Sequence, residues 1–170
     1  MSYPRYPLQC GPVTIQILSK DLMATYCETN PHLVISIREP GSEKVVLPDY
    51  PLSRKGTLFL EFQDWDIERK HPADGAPIKG SDGKVKGHVV IFKEEHAKMI
   101  LSFINNYPDV KAIIINCPGG VSRSSGVGAA LSRIYCQNDN IFFQRFIPNM
   151  GVYRTLLNEY YAQKERLEQV

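Results

Sequence analysis

The residues with the clearest chemical potential lie in one stretch, AIIINCPGGVSRSSGVGAAL, residues 112–131. Cys117 closes an apolar, β-branched run. Arg123 follows six positions later, with Pro118, Gly119, Gly120, Val121 and Ser122 between them and Ser124 directly after. A chain that leaves a strand and enters a helix within so few residues must curl tightly, and the paired glycines permit the φ values that such curling needs. Curling turns successive backbone N–H groups inward and makes an anion nest. The positive end of the following helix adds to it. An oxyanion such as phosphate fits this cradle, and Arg123 can grip two of its oxygens in a planar fork. The same surroundings favour the thiolate of Cys117 over the thiol. A nucleophile below a bound phosphoryl group is the arrangement for covalent transfer through a phosphocysteine.

The elements that must position this loop are visible on either side of it. VKAIIIN (110–116) is continuous and apolar, as a central parallel strand should be. In residues 124–138, Val127, Leu131, Ile134 and Tyr135 share one helical face. Upstream, VTIQIL (13–18), HLVISI (32–37) and TLFLEF (57–62) are strand candidates, and Asp21 is placed to cap a short helix reaching Cys27. Residues 1–12 are expected to be an irregular arm and 38–56 a loop broken by prolines. Residues 63–88 form a long polar connection in which SDGK suits a hairpin turn. Ala97, Ile100, Leu101 and Ile104 mark a helix within 92–109, and Pro148 and Asn149 open another over 147–169. Strands alternating with helices predict one α/β domain across residues 1–170, with a mainly parallel sheet. Ligands of such sheets bind at the carboxyl ends of strands, where Cys117 falls.

The loop resembles the signature of the cysteine-dependent protein tyrosine and dual-specificity phosphatases, C-x-x-G-x-x-R-S, which Cys117, Gly120, Arg123 and Ser124 match. The resemblance extends over about residues 13–165 and is similar to the compact tyrosine-phosphatase-like group of bacteria and their viruses. It implies that Cys117 is the nucleophile and Arg123 the phosphate and transition-state clamp. The segment from Pro118 to Arg123 would hold the phosphate, and Ser124 would help the thiolate leave. It also implies a general-acid aspartate just past an earlier strand. Asp64 fits that placement, Asp66 stands in reserve, and a carboxylate from the long connection, Asp74 or Asp82, is a further alternative. Pro148, Asn149 and Leu156 resemble the family's closing helix. Two features depart from the pattern: Asn116 stands where the family usually has histidine, and the span from Asp64 to Cys117 is long.

Composition excludes several other classes. The net charge of +2, with 20 Lys and Arg spread along the chain, does not favour nucleic acid. No apolar run is long enough to span a bilayer, and the N-terminal stretch lacks the apolar core of a signal peptide, so a cytoplasmic protein is expected. Cys10, Cys27, Cys117 and Cys136 show no metal-ligand spacing and read as free thiols, and the histidines read as surface or loop residues. Neither a metal nor a cofactor is expected, because the loop supplies its own positive charge. The partner expected is a phosphorylated protein or peptide. The functions that follow are hydrolysis of phosphotyrosine, with phosphoserine and phosphothreonine as further candidate substrates, or capture of phosphorylated partners by a weakly catalytic module. An RNA 5′-phosphatase and a rhodanese-like sulfur transferase are the remaining alternatives; the Arg123–Ser124 pair favours phosphate over sulfur chemistry.

Overall fold

The computed structural model describes residues 8–10 by their backbone and residues 13–49, 52–65 and 72–169 in full. Asp66, Lys70 and His71 lie outside these. In chain order the elements are β1 (Leu8–Cys10), β2 (Val13–Ser19), α1 (Lys20–Met23), β3 (His32–Arg38), β4 (Arg54–Glu61), β5 (Pro77–Lys79), β6 (Val85–His88), α2 (Glu94–Asn105), β7 (Ala112–Cys117), α3 (Arg123–Cys136), α4 (Asn140–Arg145) and α5 (Met150–Glu168).

The main sheet runs β1-β2-β7-β3-β4. β7 takes the centre because every one of its six residues is buried, which suits a strand covered on both faces. It pairs in parallel with β2, Ile17 opposite Ile115, and with β3, Ile35 opposite Ile115. β4 continues the parallel set beyond β3. β1 lies antiparallel at the edge against β2, so part of the expected irregular arm is a strand.

Side-chain alternation splits the core in two. Ile15, Ile17, Ile35, Ile113, Ile115 and Cys117 face a large cluster that includes Ala97, Ile100 and Leu101 of α2, Val127 and Leu131 of α3, and Val152 and Leu156 of α5. Leu18, Val34 and Ile114 face the other way and pack with Met23 and Val45. α3 is buried from Arg123 to Ser132, so it passes through the interior and does not present a single apolar stripe. Tyr135, expected on its buried face, is 48% exposed.

Other departures are local. The helix expected from Asp21 to Cys27 is the single turn α1, capped by Ser19, whose Oγ accepts from Leu22 N at 3.2 Å. Ser19 ends β2 in extended conformation, and that geometry, which Asp21 lacks, makes the cap. β4 begins at Arg54, inside the span read as loop, because pairing with β3 extends it toward its start. The long connection holds the β5–β6 hairpin, turned at the expected SDGK with Gly83 at φ +75°. α4 was not anticipated; its six residues are too few for a periodic signal.

Candidate active site

Cys117 is the last residue of β7, and the chain bends from Pro118 to Ser122 before α3 begins at Arg123. Gly120 makes the turn possible on two counts. Its φ is +65°, and a Cβ there would lie 2.5 Å from Ser19 N and 2.6 Å from Leu18 C. The loop therefore rests directly on the end of β2, and Lys20 N donates to Pro118 O at 3.3 Å. Val121 O accepts from Ile147 N at 3.3 Å, and Ser122 O accepts from Gly126 N at 2.8 Å and Asn149 N at 3.0 Å. Carbonyls of Pro118, Val121 and Ser122 thus point outward. In a trans peptide the next N–H points the opposite way, so the N–H groups of Gly119, Ser122 and Arg123 turn toward the inside of the loop.

Cys117 Sγ and Ser124 Oγ are 3.1 Å apart in a buried setting. Pro118 and Gly119 are exposed, which leaves the mouth of the loop open.

Arg123 is buried, 4% exposed, and held on two sides. Nη1 donates to Phe62 O at 2.8 Å, and Nη2 pairs with Glu39 at 2.7 Å. Phe62 is itself fully buried, edge-on to Phe92 with centroids 4.9 Å apart. Arg123 Nε has no hydrogen-bond partner among the described residues. A buried charged donor left unpaired costs more than about 1–3 kcal/mol. The Nε/Nη2 edge is the side of a guanidinium that takes an oxyanion in a fork; here Nη2 is paired with Glu39 and Nε is the atom without a partner among the described residues. Neither Glu39 nor the Phe62 carbonyl was singled out in the sequence; both come from distant segments, and nothing in their local patterns points to Arg123.

Asp64 is exposed, two residues past Phe62. Its Oδ1 accepts from Ser122 Oγ at 2.6 Å and from Asn149 Nδ2 at 2.9 Å. The same Asn149 amide also donates to Trp65 O at 3.0 Å, while Asn149 Oδ1 accepts from Val152 N at 3.0 Å as the cap of α5. Asp64 is thus tied to the loop itself, and Asn149, expected as a helix entry, is also its positioning partner. Gly126 makes this approach possible, since a Cβ there would sit 2.8 Å from Asn149 O. The reserve acid Asp66 lies outside the described residues. The two alternatives from the connection are engaged elsewhere. Asp74 pairs with Lys93 at 2.5 Å and accepts from Ile91 N, which holds its carboxyl below the usual range. Asp82 accepts from Lys84 N at 3.1 Å within the hairpin turn.

Asn116 is buried on the face opposite Cys117, and its Oδ1 has no partner among the described residues. Of the other cysteines, Cys27 is a free exposed thiol, as expected. Cys136, expected to be free, is disulfide-bonded. Such bonds are sparse in reducing compartments. Two histidines depart from the expected surface placement: His32 is 2% exposed, and the half-buried His96 ring stacks on Phe92 at 5.4 Å between centroids.

Among the described residues no helix is long and apolar enough to cross a membrane. No protein-family profile and no curated protein sequence matches the chain. Solved structures do. The chain is similar to human tyrosine phosphatase-like serine/threonine/tyrosine-interacting protein, with TM-score 0.56 and 14% identity, over 95% of this chain and 99% of that one. It is also similar to a variant of human DUSP28, with TM-score 0.52 and 13% identity, over 96% and 99% of the two chains. At these identities the likeness is one of fold.

Proposed function

From a chain with the fold of the tyrosine and dual-specificity phosphatases, we propose a cysteine-dependent phosphomonoester hydrolase acting on phosphotyrosine in proteins, with phosphoserine and phosphothreonine as further substrates. The observation that carries this reading is the buried Nε of Arg123, without a partner among the described residues, at the loop that begins with Cys117. A phosphoryl oxygen on that nitrogen supplies the missing acceptor, and a second oxygen meets Nη2. Ile147 is 72% exposed and bonded through its backbone to Val121 at the edge of the loop. An apolar residue in that position supports an aromatic ester.

In the proposed reaction the Cys117 thiolate attacks phosphorus, and the bond from phosphorus to the ester oxygen breaks. The departing oxygen takes a proton from Asp64. Asp64 Oδ1 already accepts from Ser122 and Asn149, which leaves Oδ2 to carry that proton. Water then attacks the phosphocysteine, giving its proton to the Asp64 carboxylate, and the S–P bond breaks. Ser124 Oγ, 3.1 Å from Sγ, donates to the returning thiolate. Inward N–H groups of the loop and Arg123 stabilise the charge on the equatorial oxygens throughout.

Hydrolysis of para-nitrophenyl phosphate and of a phosphotyrosine peptide tests the proposal. Wild-type protein should turn over both, with no loss on adding EDTA. Cys117→Ser should abolish turnover and retain phosphate-ester binding. A Cys117→Ser variant with near-normal turnover overturns the covalent route. A second reading, capture of phosphorylated partners without turnover, is favoured by Asn116, next in sequence to the nucleophile, whose buried Oδ1 has no partner among the described residues. Binding of the phosphopeptide by wild-type protein without any hydrolysis decides for it.

A further inference from the structure

A cavity lies beside the Cys117 loop, on the face of the sheet opposite Cys117. Its volume is about 250 Å³, and its walls include Lys20, Ser36, Arg38, Glu43, Asn116 and Pro118. Strand register explains the placement. Ser36 stands opposite Asn116 in β3–β7, and Leu18 stands opposite Asn116 in β2–β7. Partners in parallel strands project to the same side, so the Asn116 side chain points to the face of Leu18 and Val45. Val45 lines the cavity as well.

Among the described residues, two polar atoms at this cavity lack partners. Asn116 is 2% exposed and its Oδ1 accepts nothing, while the buried Nε of Arg38 donates to nothing among the described residues. Native structures rarely leave such atoms unmet, and each unmet atom costs about 1–3 kcal/mol. An occupant that donates to the first and accepts from the second meets both. The charges around the cavity sharpen this. Arg38 pairs with Glu61, and the further wall residue Glu39 pairs with Arg123. Among the described residues, no ion pair engages Lys20 or Glu43, both of them exposed at the cavity. One cation and one anion are therefore left over, beside one orphaned acceptor and one orphaned donor. A simple anion leaves Glu43 and Asn116 Oδ1 unmatched, and a simple cation leaves Lys20 and Arg38 Nε unmatched.

The geometry points to a binding site for a small zwitterion, a free α-amino acid with a short side chain. Its ammonium donates to Asn116 Oδ1 and faces Glu43, and its carboxylate meets Arg38 Nε and Lys20. The volume falls just under the roughly 300 Å³ at which ligand pockets usually begin, which limits the occupant to a few non-hydrogen atoms. The site is separate from the phosphate cradle, though Pro118 and Glu39 belong to both surroundings.

The test is a titration of the full chain with glycine, L-alanine and L-serine, read by the NMR shift of the Asn116 side-chain amide. Acetate and methylammonium serve as single-charge controls. Saturable binding at about 1 mM or tighter is expected for at least one amino acid, with the controls about tenfold weaker or worse. Lys20→Met and Glu43→Gln change exposed side chains, and each should weaken binding about tenfold, a loss of about 1.4 kcal/mol. Affinity should be unchanged by inorganic phosphate. An Asn116 amide that no amino acid shifts means that water alone fills the cavity, and this overturns the proposal. Equal binding by the controls, or indifference to both substitutions, overturns it too. No step of the test depends on turnover, so it stands or falls apart from the phosphatase reading.

Discussion

The side-chain amide of Asn149 donates to Asp64 Oδ1 at 2.9 Å, across 85 positions of sequence. The same side chain caps α5 through Val152 N. One residue therefore couples the placement of the proposed acid to the start of a helix. Asn149→Ala should cost about 1 kcal/mol of stability through the lost cap. It should also slow hydrolysis of alkyl phosphates more than of para-nitrophenyl phosphate, because an alkoxide needs a well-placed proton and a phenolate much less. Thermal melting and the two rates check this. Equal slowing of both substrates would show that Asn149 matters for the fold alone.

Asp64→Asn keeps the shape of the side chain and an oxygen for Ser122 and Asn149, and removes only the transferable proton. The expected loss is about 10² to 10⁴ in rate for phosphoserine, smaller for para-nitrophenyl phosphate. The basic-side fall of the pH–rate profile should disappear. Asp74→Asn should change neither, since Asp74 is engaged with Lys93 and Ile91. An unaltered profile in Asp64→Asn would move the search to Asp66.

Arg123→Lys keeps a positive charge but not the planar fork. A single ammonium cannot replace the bonds to Phe62 O and Glu39 and also meet two phosphate oxygens. With a charged hydrogen bond contributing about 1.5–3 kcal/mol, a drop of at least about a hundredfold in kcat/KM is expected. Steady-state kinetics on para-nitrophenyl phosphate give the answer, and a drop under tenfold would contradict the fork.

Gly120→Ala tests the seat of the loop. The substitution puts a Cβ within 2.6 Å of Ser19 N and Leu18 C, and it asks alanine to hold a φ of +65°. The left-handed conformation alone costs about 1–2 kcal/mol, and parting the loop from β2 adds to it. Loss of activity with a lowered melting temperature is expected. A variant as active and as stable as the wild type would mean that the loop does not rest on β2 as described.

His96 accepts from Lys93 N through Nδ1 at 3.0 Å, a bond that only the unprotonated nitrogen can make. Burial, assisted by the Lys93 charge, pushes its pKa below the usual histidine value. The unfolded chain then binds the proton more readily than the folded one, so stability from this residue is present above about pH 6.5 and is lost as the pH falls through the lowered folded value. His96→Gln keeps an acceptor at the start of α2 without titrating. Urea unfolding at pH 7 and pH 5 should show a smaller fall for the variant than for the wild type. Equal falls would assign the acid sensitivity to other groups.

Much of the site was open to sequence reading because its parts are contiguous. Cys117, the two glycines, Arg123 and Ser124 lie within eight positions, and a strand-to-helix turn admits few geometries for them. The buried β7 and the helices α2 and α3 announced themselves by continuous or periodic apolar residues, since burial on one or both faces leaves that trace in the order of residues, and α5 by its Pro148–Asn149 entry. The contacts of Glu39 and Phe62 with Arg123, of Asn149 and Ser122 with Asp64, and the orphaned Asn116 at its cavity left no such trace. They join segments far apart in the chain, and hydrogen bonds between distant polar groups carry no periodicity. α4 and β1 escaped for a related reason: at six and three residues they are shorter than the window in which a pattern can repeat. The contact of Asp64 with the loop, and the hold of Phe62 O and Glu39 on Arg123, were decided only when the sheet brought the ends of β4 and β7 to one edge and α5 packed against α3.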